Sequence, residues 1–301
     1  MNLGYACINK TLSESEKITT NRTMIKRTFL SKGVGYASEL ALKNCKDLIK
    51  ILKWNQDNGI KFFRLSSNLF PWSSEYNLNQ LPDFEEICET LKSAGEFAKN
   101  NNHRITTHPG PFNVLASPNE KVVKSTIKEL STHAEVFDLL GLEMSTHAKI
   151  NIHVGGMYGD AEATAQRWIK NFNFLPESVQ SRLTLENDDR ASMWSVIKLY
   201  DLIHKETKTP IVFDYHHHKF CDGGVKEQEA LELALSTWSN SVPVVHYSQS
   251  RREEKSDYKI KPQAHSDSYW ETFDLYGNRA DVMLECKHKE LGLFKMRQLF
   301  F

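Results

Sequence analysis

Short apolar, β-branched or aromatic runs alternate with helix-like stretches along the whole chain, and this rhythm constrains the fold more than any other feature. The runs occupy residues 3–8, 61–66, 104–107, 149–154, 182–186, 210–215, 242–247 and 280–285, and each ends at or beside a polar residue. Between them, residues 39–58, 83–101, 118–140, 161–172, 192–205 and 226–238 carry the apolar period of amphipathic helices. Eight such alternations are what a closed parallel barrel requires. The runs read as free of charge until their last residues, as in strands buried on both faces. A doubly wound open sheet competes, but it usually carries a glycine-rich phosphate loop after its first strand. Here the first run leads instead into Asn9-Lys10-Thr11-Leu12. The expected architecture is an α/β TIM (β/α)₈ barrel, with residues 1–301 forming a single domain.

In such a barrel the loops after the strand C-termini meet at one mouth, where chemistry resides. The residues closing the runs are Asn9, Asn68, His108, His153, Glu186, Asp214 with His216 to His218, His246 and Glu285, and His265 lies in the loop after the seventh run. Neutral imidazole and carboxylate together are ligands for Zn²⁺, Mn²⁺ or Fe²⁺, whereas Mg²⁺ alone rarely recruits so many histidines. Packing two or three ions together needs bridging carboxylates, a role open to Glu186 and Glu285. The spacing Asp214-x-x-His217 turns both side chains toward the mouth. A solvent-facing edge is the other reading of Tyr215 to His218. Any one of the 12 histidines taken alone is more readily structural, and His133, His147, His204 and His288 are read that way. The convergence of many strand ends is the specific signal.

Composition sets the outer bounds. Hydrophobic residues make up 40% and charged residues 25%, ordinary globular values that exclude disordered and fibrous classes. No apolar run is long enough to span a bilayer, and the first ten residues lack a secretory pattern. Five scattered cysteines without a Cys-x-x-Cys pair indicate neither a disulfide framework nor a thiolate zinc site. An intracellular, non-secreted protein is the expectation. The net charge of zero speaks against a nucleic-acid partner, because phosphate contacts need Lys and Arg. Local basic excesses at Lys17, Arg22, Lys26 and Arg27, and at Arg251, Arg252, Lys255, Lys259 and Lys261, soften that point, as would bound cations. Solvated surface is as good a reading of either cluster as a phosphate track.

Over nearly its whole length the chain resembles the UV damage endonucleases. The resemblance is carried by Asn2-Leu3-Gly4-Tyr5-Ala6-Cys7 with Thr19 to Thr23, by Phe63-Arg64-Leu65-Ser66-Ser67-Asn68-Leu69-Phe70-Pro71, and by Thr107-His108-Pro109-Gly110. It continues through His153-Val154-Gly155-Gly156 with Tyr158-Gly159, then Leu185-Glu186-Asn187-Asp188 and Asp214-Tyr215-His216-His217. Val245-His246-Tyr247-Ser248, Ala264-His265 and Asp281 to Lys287 complete the series. It implies a barrel related to endonuclease IV with up to three divalent ions, Mn²⁺ first, with Zn²⁺, Mg²⁺ and Co²⁺ as the other fits. The implied ligands are His108, His153, Glu186, Asp214, His217, His246, His265 and Glu285. Enzymes of the family cut the DNA backbone immediately 5′ to cyclobutane dimers and 6–4 photoproducts, leaving a 3′-hydroxyl and a 5′-phosphate.

Three positions depart from the family pattern. Members with a histidine at the position of Asn68 use it as a ligand, and an amide offers only its oxygen. Val244 stands where some members carry a lysine two residues before the metal histidine of the seventh strand. Pro111-Phe112 replaces the usual Gln-Tyr pair that probes the lesion; Phe112 can still wedge or stack, but Pro111 lacks a hydrogen-bonding side chain.

On this reading the catalytic candidates are Glu186, Glu285, Lys287 and His246, with Asp188 orienting a metal histidine. The candidates for DNA or lesion contact are Tyr5, Asn9, Arg22, Lys26, Asn68, Pro111, Phe112 and Tyr158. The expected partner is damaged double-stranded DNA, bound by a monomer. The alternatives are an apurinic endonuclease of the endonuclease IV type, a barrel sugar isomerase or epimerase, and a DNA-binding relative that has lost catalysis.

Overall fold

The computed structural model describes residues 1–239 and 241–300. Eight parallel strands close into a barrel in the order β1-β2-β3-β4-β5-β6-β7-β8. They are β1 (Leu3–Ala6), β2 (Phe62–Leu65), β3 (Arg104–Thr107), β4 (Ile150–Ile152), β5 (Leu183–Glu186), β6 (Ile211–Asp214), β7 (Val244–Tyr247) and β8 (Asp281–Leu284). Closure is made by β1 against β8, with Leu3 opposite Val282 and Tyr5 opposite Leu284. The expected barrel is therefore present.

Helices wrap the strands. In chain order they are α1 (Lys10–Glu16), α2 (Lys26–Asp57), α3 (Phe84–Asn100), α4 (Glu120–Leu139), α5 (Ala161–Phe172), α6 (Glu177–Gln180), α7 (Val196–Leu199), α8 (Lys205–Thr207), α9 (Tyr215–His218), α10 (Glu227–Ser236), α11 (Arg251–Lys255) and α12 (Glu290–Phe300). The expected helix over 39–58 begins earlier, at Lys26, and is broken at Gly33, whose φ of 65° leaves the helical region. No full helix separates β7 from β8. The chain there makes only α11 and returns along an isolated antiparallel bridge between Ser250 and His265.

Alternation along each strand divides the buried residues into two layers. Tyr5, Phe63, Leu65, Ile105, Leu183, Leu185, Phe213, Val245, Val282 and Leu284 face outward into the main core between strands and helices. Ala6, Phe62, Val244 and Met283 form a separate cluster inside the barrel. Charged residues also point inward at the strand starts, which corrects the expectation that charge is confined to the last residues of each strand. At the N-terminal end of the barrel Arg104 donates to Asp281 at 3.0 Å and to the carbonyls of Thr146, His147 and Val242. Such a pair is tolerable because almost every donor of the guanidinium is matched. On the outside, α3 approaches the end of α4 so closely that a Cβ on Gly95 would lie 1.6 Å from the Leu140 carbonyl oxygen.

Candidate metal centre

The inward positions at the C-terminal end of the barrel carry donors. Glu186 ends β5 at the middle of the cluster and is 1% exposed. Its carboxylate lies 3.0 Å from His246 Nδ1, 3.2 Å from His108 Nε2, 3.3 Å from His217 Nδ1 and 3.9 Å from His153 Nε2. Glu285 follows β8 and lies 3.1 Å from His246 Nδ1 and 3.8 Å from His265 Nδ1. Two sets of donor atoms fall within 4.8 Å of one another: His108, His153 and Glu186, and Glu186, Asp214 and His246. Glu186 is common to both, the arrangement a bridging carboxylate needs. All eight sequence-proposed ligands thus come together at the mouth.

Local structure explains how each is held. Asp214 ends β6 and caps α9, its Oδ1 accepting from His217 N at 2.8 Å. That turn swings His217 into the mouth, while His216 and His218 are buried behind it, so the solvent-facing reading of this run does not hold. His153 Nδ1 sits 3.0 Å from Asp188 Oδ1, leaving Nε2 for the centre, as the sequence suggested. The His108 ring is set by its Nδ1 beside the Pro109 carbonyl at 3.1 Å, and that of His265 by its Nδ1 at 2.7 Å from the Glu285 carbonyl.

The electrostatics are those of a cluster built for cations. Burial raises the Glu186 carboxyl, but the surrounding histidines, His246 and His153 foremost, overrule it and hold it well below the usual range. Burial dominates at Asp214 and pushes its carboxyl up to about 6. Burial lowers His246 to about 4. The buried Asp214 Oδ2 has no hydrogen-bond partner among the described residues. An orphaned carboxylate oxygen in a cluster with two further acids and five imidazoles is costly unless something positive completes it. The residues present therefore fit divalent ions.

Four side chains of this centre escaped the sequence reading. Arg64 pairs with Glu285. The Lys149 ammonium, fully buried, lies 3.2 Å from His246 Nε2, and burial lowers its pKa to about 7. Asn151 donates to Glu186 and is itself fixed by Thr184 Oγ1 at 2.7 Å. Asn187 joins β5 to β6 by exchanging hydrogen bonds with the Asp214 backbone. A signal existed for three of them: Arg64, Lys149 and Asn151 are polar residues within mostly apolar strand-like runs, and Asn187 directly follows one.

Several proposed contacts need correction. Tyr5 faces the helices rather than the mouth; it is fully buried, packed on Phe63, and donates to Asn55 at 2.7 Å. Asn9 is also buried, donating to the Tyr5 hydroxyl and capping α1 through Leu12 N. Neither has surface left for DNA. Arg22 spends its guanidinium on Asp47 and on the carbonyls of Thr19 and Lys17. Lys287 is exposed and lines a different cleft, away from the donors, so it is not positioned for proton relay. Asn68 is exposed and donates to Asn21 at 3.0 Å, outside the donor sets. Pro111 lines the mouth, Phe112 is 87% exposed at the tip of the loop after β3, and Tyr158 is half-exposed beneath the Arg167 guanidinium.

Fold and centre define a (β/α)₈ barrel with a histidine and carboxylate cluster at its catalytic face, built to hold divalent ions. The model of the family UV-endonuclease UvdE matches residues 1–300, and the chain belongs to that family. A UV-damage endonuclease of Schizosaccharomyces pombe is 35% identical over 98% of this chain, and a relative from Acanthamoeba polyphaga mimivirus is 32% identical over 99%. The chain spans 50% of the length of the first and 91% of the second. The crystal structure of SacUVDE superposes with a TM-score of 0.85 at 31% identity, covering 100% of this chain and 98% of that one. A D-tagatose 3-epimerase-like protein shares the scaffold at 12% identity and a TM-score of 0.57, covering 100% of this chain and 96% of that one, a likeness of fold alone. Among the described residues no helix is long and apolar enough to cross a membrane.

Proposed function

We propose that this chain hydrolyses the DNA phosphodiester immediately 5′ to UV photoproducts, using divalent ions, Mn²⁺ first among them, held by His108, His153, Glu186, Asp214, His217, His246, His265 and Glu285. The observation that carries the reading is the sharing of Glu186 between two donor sets in a buried, strand-end cluster. When bound, such ions activate a water, neutralise the phosphate and stabilise the leaving oxygen of an in-line displacement.

The chain's own residues supply the rest. Asp188 and the carbonyls of Pro109 and Glu285 orient the imidazoles. Arg64, paired to Glu285, adds a fixed positive charge beside the reacting phosphate. An open pocket of about 360 Å³ adjoins the cluster, lined by Pro111, Asn113, Asp188, Asp189, Arg190 and Met193 among others. It offers room for a damaged dinucleotide turned out of the duplex, and damaged bases unstack at lower cost than intact ones. Phe112 at its rim is free to wedge into the gap.

The deciding experiment is nicking of UV-irradiated against untreated plasmid, with Mn²⁺ and with EDTA. Nicks confined to irradiated DNA with Mn²⁺ are expected. Equal cutting of abasic and UV-damaged duplexes would move the reading to an apurinic endonuclease, and binding without nicks to a lapsed relative.

A further inference from the structure

The pocket lined by Pro111, Asp189 and Met193 opens on the β3–β5 side of the donor cluster. On the opposite side, between the loops that follow β8 and β1, lies a separate cleft of about 270 Å³ lined by Ile8, Lys10, Ser13, Glu14, Lys287 and Lys289. Its lining carries three lysines and one carboxylate. Lys10 Nζ pairs with Glu14 at 3.2 Å, while Lys287 and Lys289 make no ion pair among the described residues. Asp267, which feels the Lys287 charge, is already paired with Arg251 at 3.2 Å and Lys255 at 2.8 Å.

The cleft is rigidly held. Glu290 is fully buried, and its carboxylate accepts from Lys10 N at 2.8 Å, Thr11 N at 2.7 Å and Thr11 Oγ1 at 2.9 Å, tying the start of α1 to the start of α12. The backbone amides are therefore already used, and an incoming anion meets lysine side chains. A fixed concentration of like charge repels itself and is relieved by a polyanion that releases its counterions on binding.

We propose that Lys10, Lys287 and Lys289 grip backbone phosphates of the damaged strand on the 5′ side of the cut. The inference rests on the endonuclease reading above and adds a direction to it. With the lesion in the β3–β5 pocket and the scissile phosphate over the donors, the strand that leaves toward β8 and β1 is the 5′ flank.

The test compares wild type with the double variants Lys10→Gln/Lys289→Gln and Lys10→Arg/Lys289→Arg. Binding by fluorescence anisotropy and kcat/KM for nicking are measured on lesion duplexes with native phosphates, or with methylphosphonates in the 5′ or the 3′ flank. Wild-type binding should weaken about tenfold on neutralising the 5′ flank, and the Gln variant should weaken by a similar factor on native DNA. That variant, left with Lys287 alone, should then respond clearly less than wild type to the 5′ replacement, with a salt dependence shallower by about two phosphate contacts, while the Arg variant keeps both. A Gln variant as sensitive to the 5′ replacement as wild type, or a wild type sensitive only to the 3′ one, overturns the assignment. A wild type that shows the 5′ dependence yet never nicks leaves the cleft standing and removes the hydrolytic reading alone.

Discussion

Replacing Glu186 with Gln is the most informative single change, because one carboxylate serves both donor sets. The side chain is isosteric, so the packing around β5 is kept, but its negative charge and one good metal oxygen are lost. Unit charges 4 Å apart interact by about 4 kcal/mol at an effective dielectric near 20. Since about 1.4 kcal/mol is tenfold, losing one such interaction weakens ion binding about a thousandfold, and both sets lose it together. Cutting of lesion duplex at fixed Mn²⁺ should fall by at least about 10³-fold. Titration calorimetry should show the Mn²⁺ isotherm displaced by a similar factor. The folded state without metal should persist, because Asn151 and the histidines can still pair with an amide oxygen. Circular dichroism and the melting temperature in EDTA check that point. If Glu186→Gln cuts within tenfold of wild type, the idea of a shared bridging acid is wrong, whatever the family membership.

Three further outcomes are expected. Pro111→Gln restores a hydrogen-bonding side chain at the pocket rim and should alter the ratio of cutting at cyclobutane dimers to 6–4 photoproducts more than the rate on the better substrate; unchanged ratios in parallel assays would count against a rim role. Burial holds His103 and His133 neutral, with pKa lowered to about 4 from 6.5, and Lys61 adds to the effect at His103. The unfolded chain takes up these protons first, so each histidine costs about 2 kcal/mol of stability at pH 5 relative to pH 7. His103→Gln should flatten the pH dependence of the unfolding free energy from urea titrations by that amount, and an unaltered slope would show that His103 protonates in the native state. Gly95→Ala forces a methyl into the Leu140 carbonyl and should cost about 3 kcal/mol, seen as a lower melting temperature; a neutral substitution would mean that α3 and α4 separate freely.

How much of this was legible beforehand varies by element. The barrel was readable because short, mostly apolar runs alternate with helical periods, and the histidines and acids closing most runs face the mouth, whereas Asn9 and Asn68 turn elsewhere. The start of the helix over Lys26–Asp57 is not legible, since Gly33 and the basic residues before it carry no apolar period. For Tyr5 and Lys287, proximity to the mouth along the sequence does not fix side-chain orientation. Alternation sends Tyr5 outward, opposite to Ala6, and the turn after Cys286 sends the Lys287 side chain to solvent.

The linear order of residues settled the fold class and which side chains could ligate, because both follow from periodicity along one strand and helix at a time. It could not say what meets across the barrel. Arg64 on β2 reaches Glu285 after β8, Lys149 before β4 reaches His246 on β7, and Lys10 and Lys289 share one cleft. Those pairings depend on ring closure, on the stagger between strands and on a buried carboxylate at Glu290. They arise only when distant segments are fixed against one another.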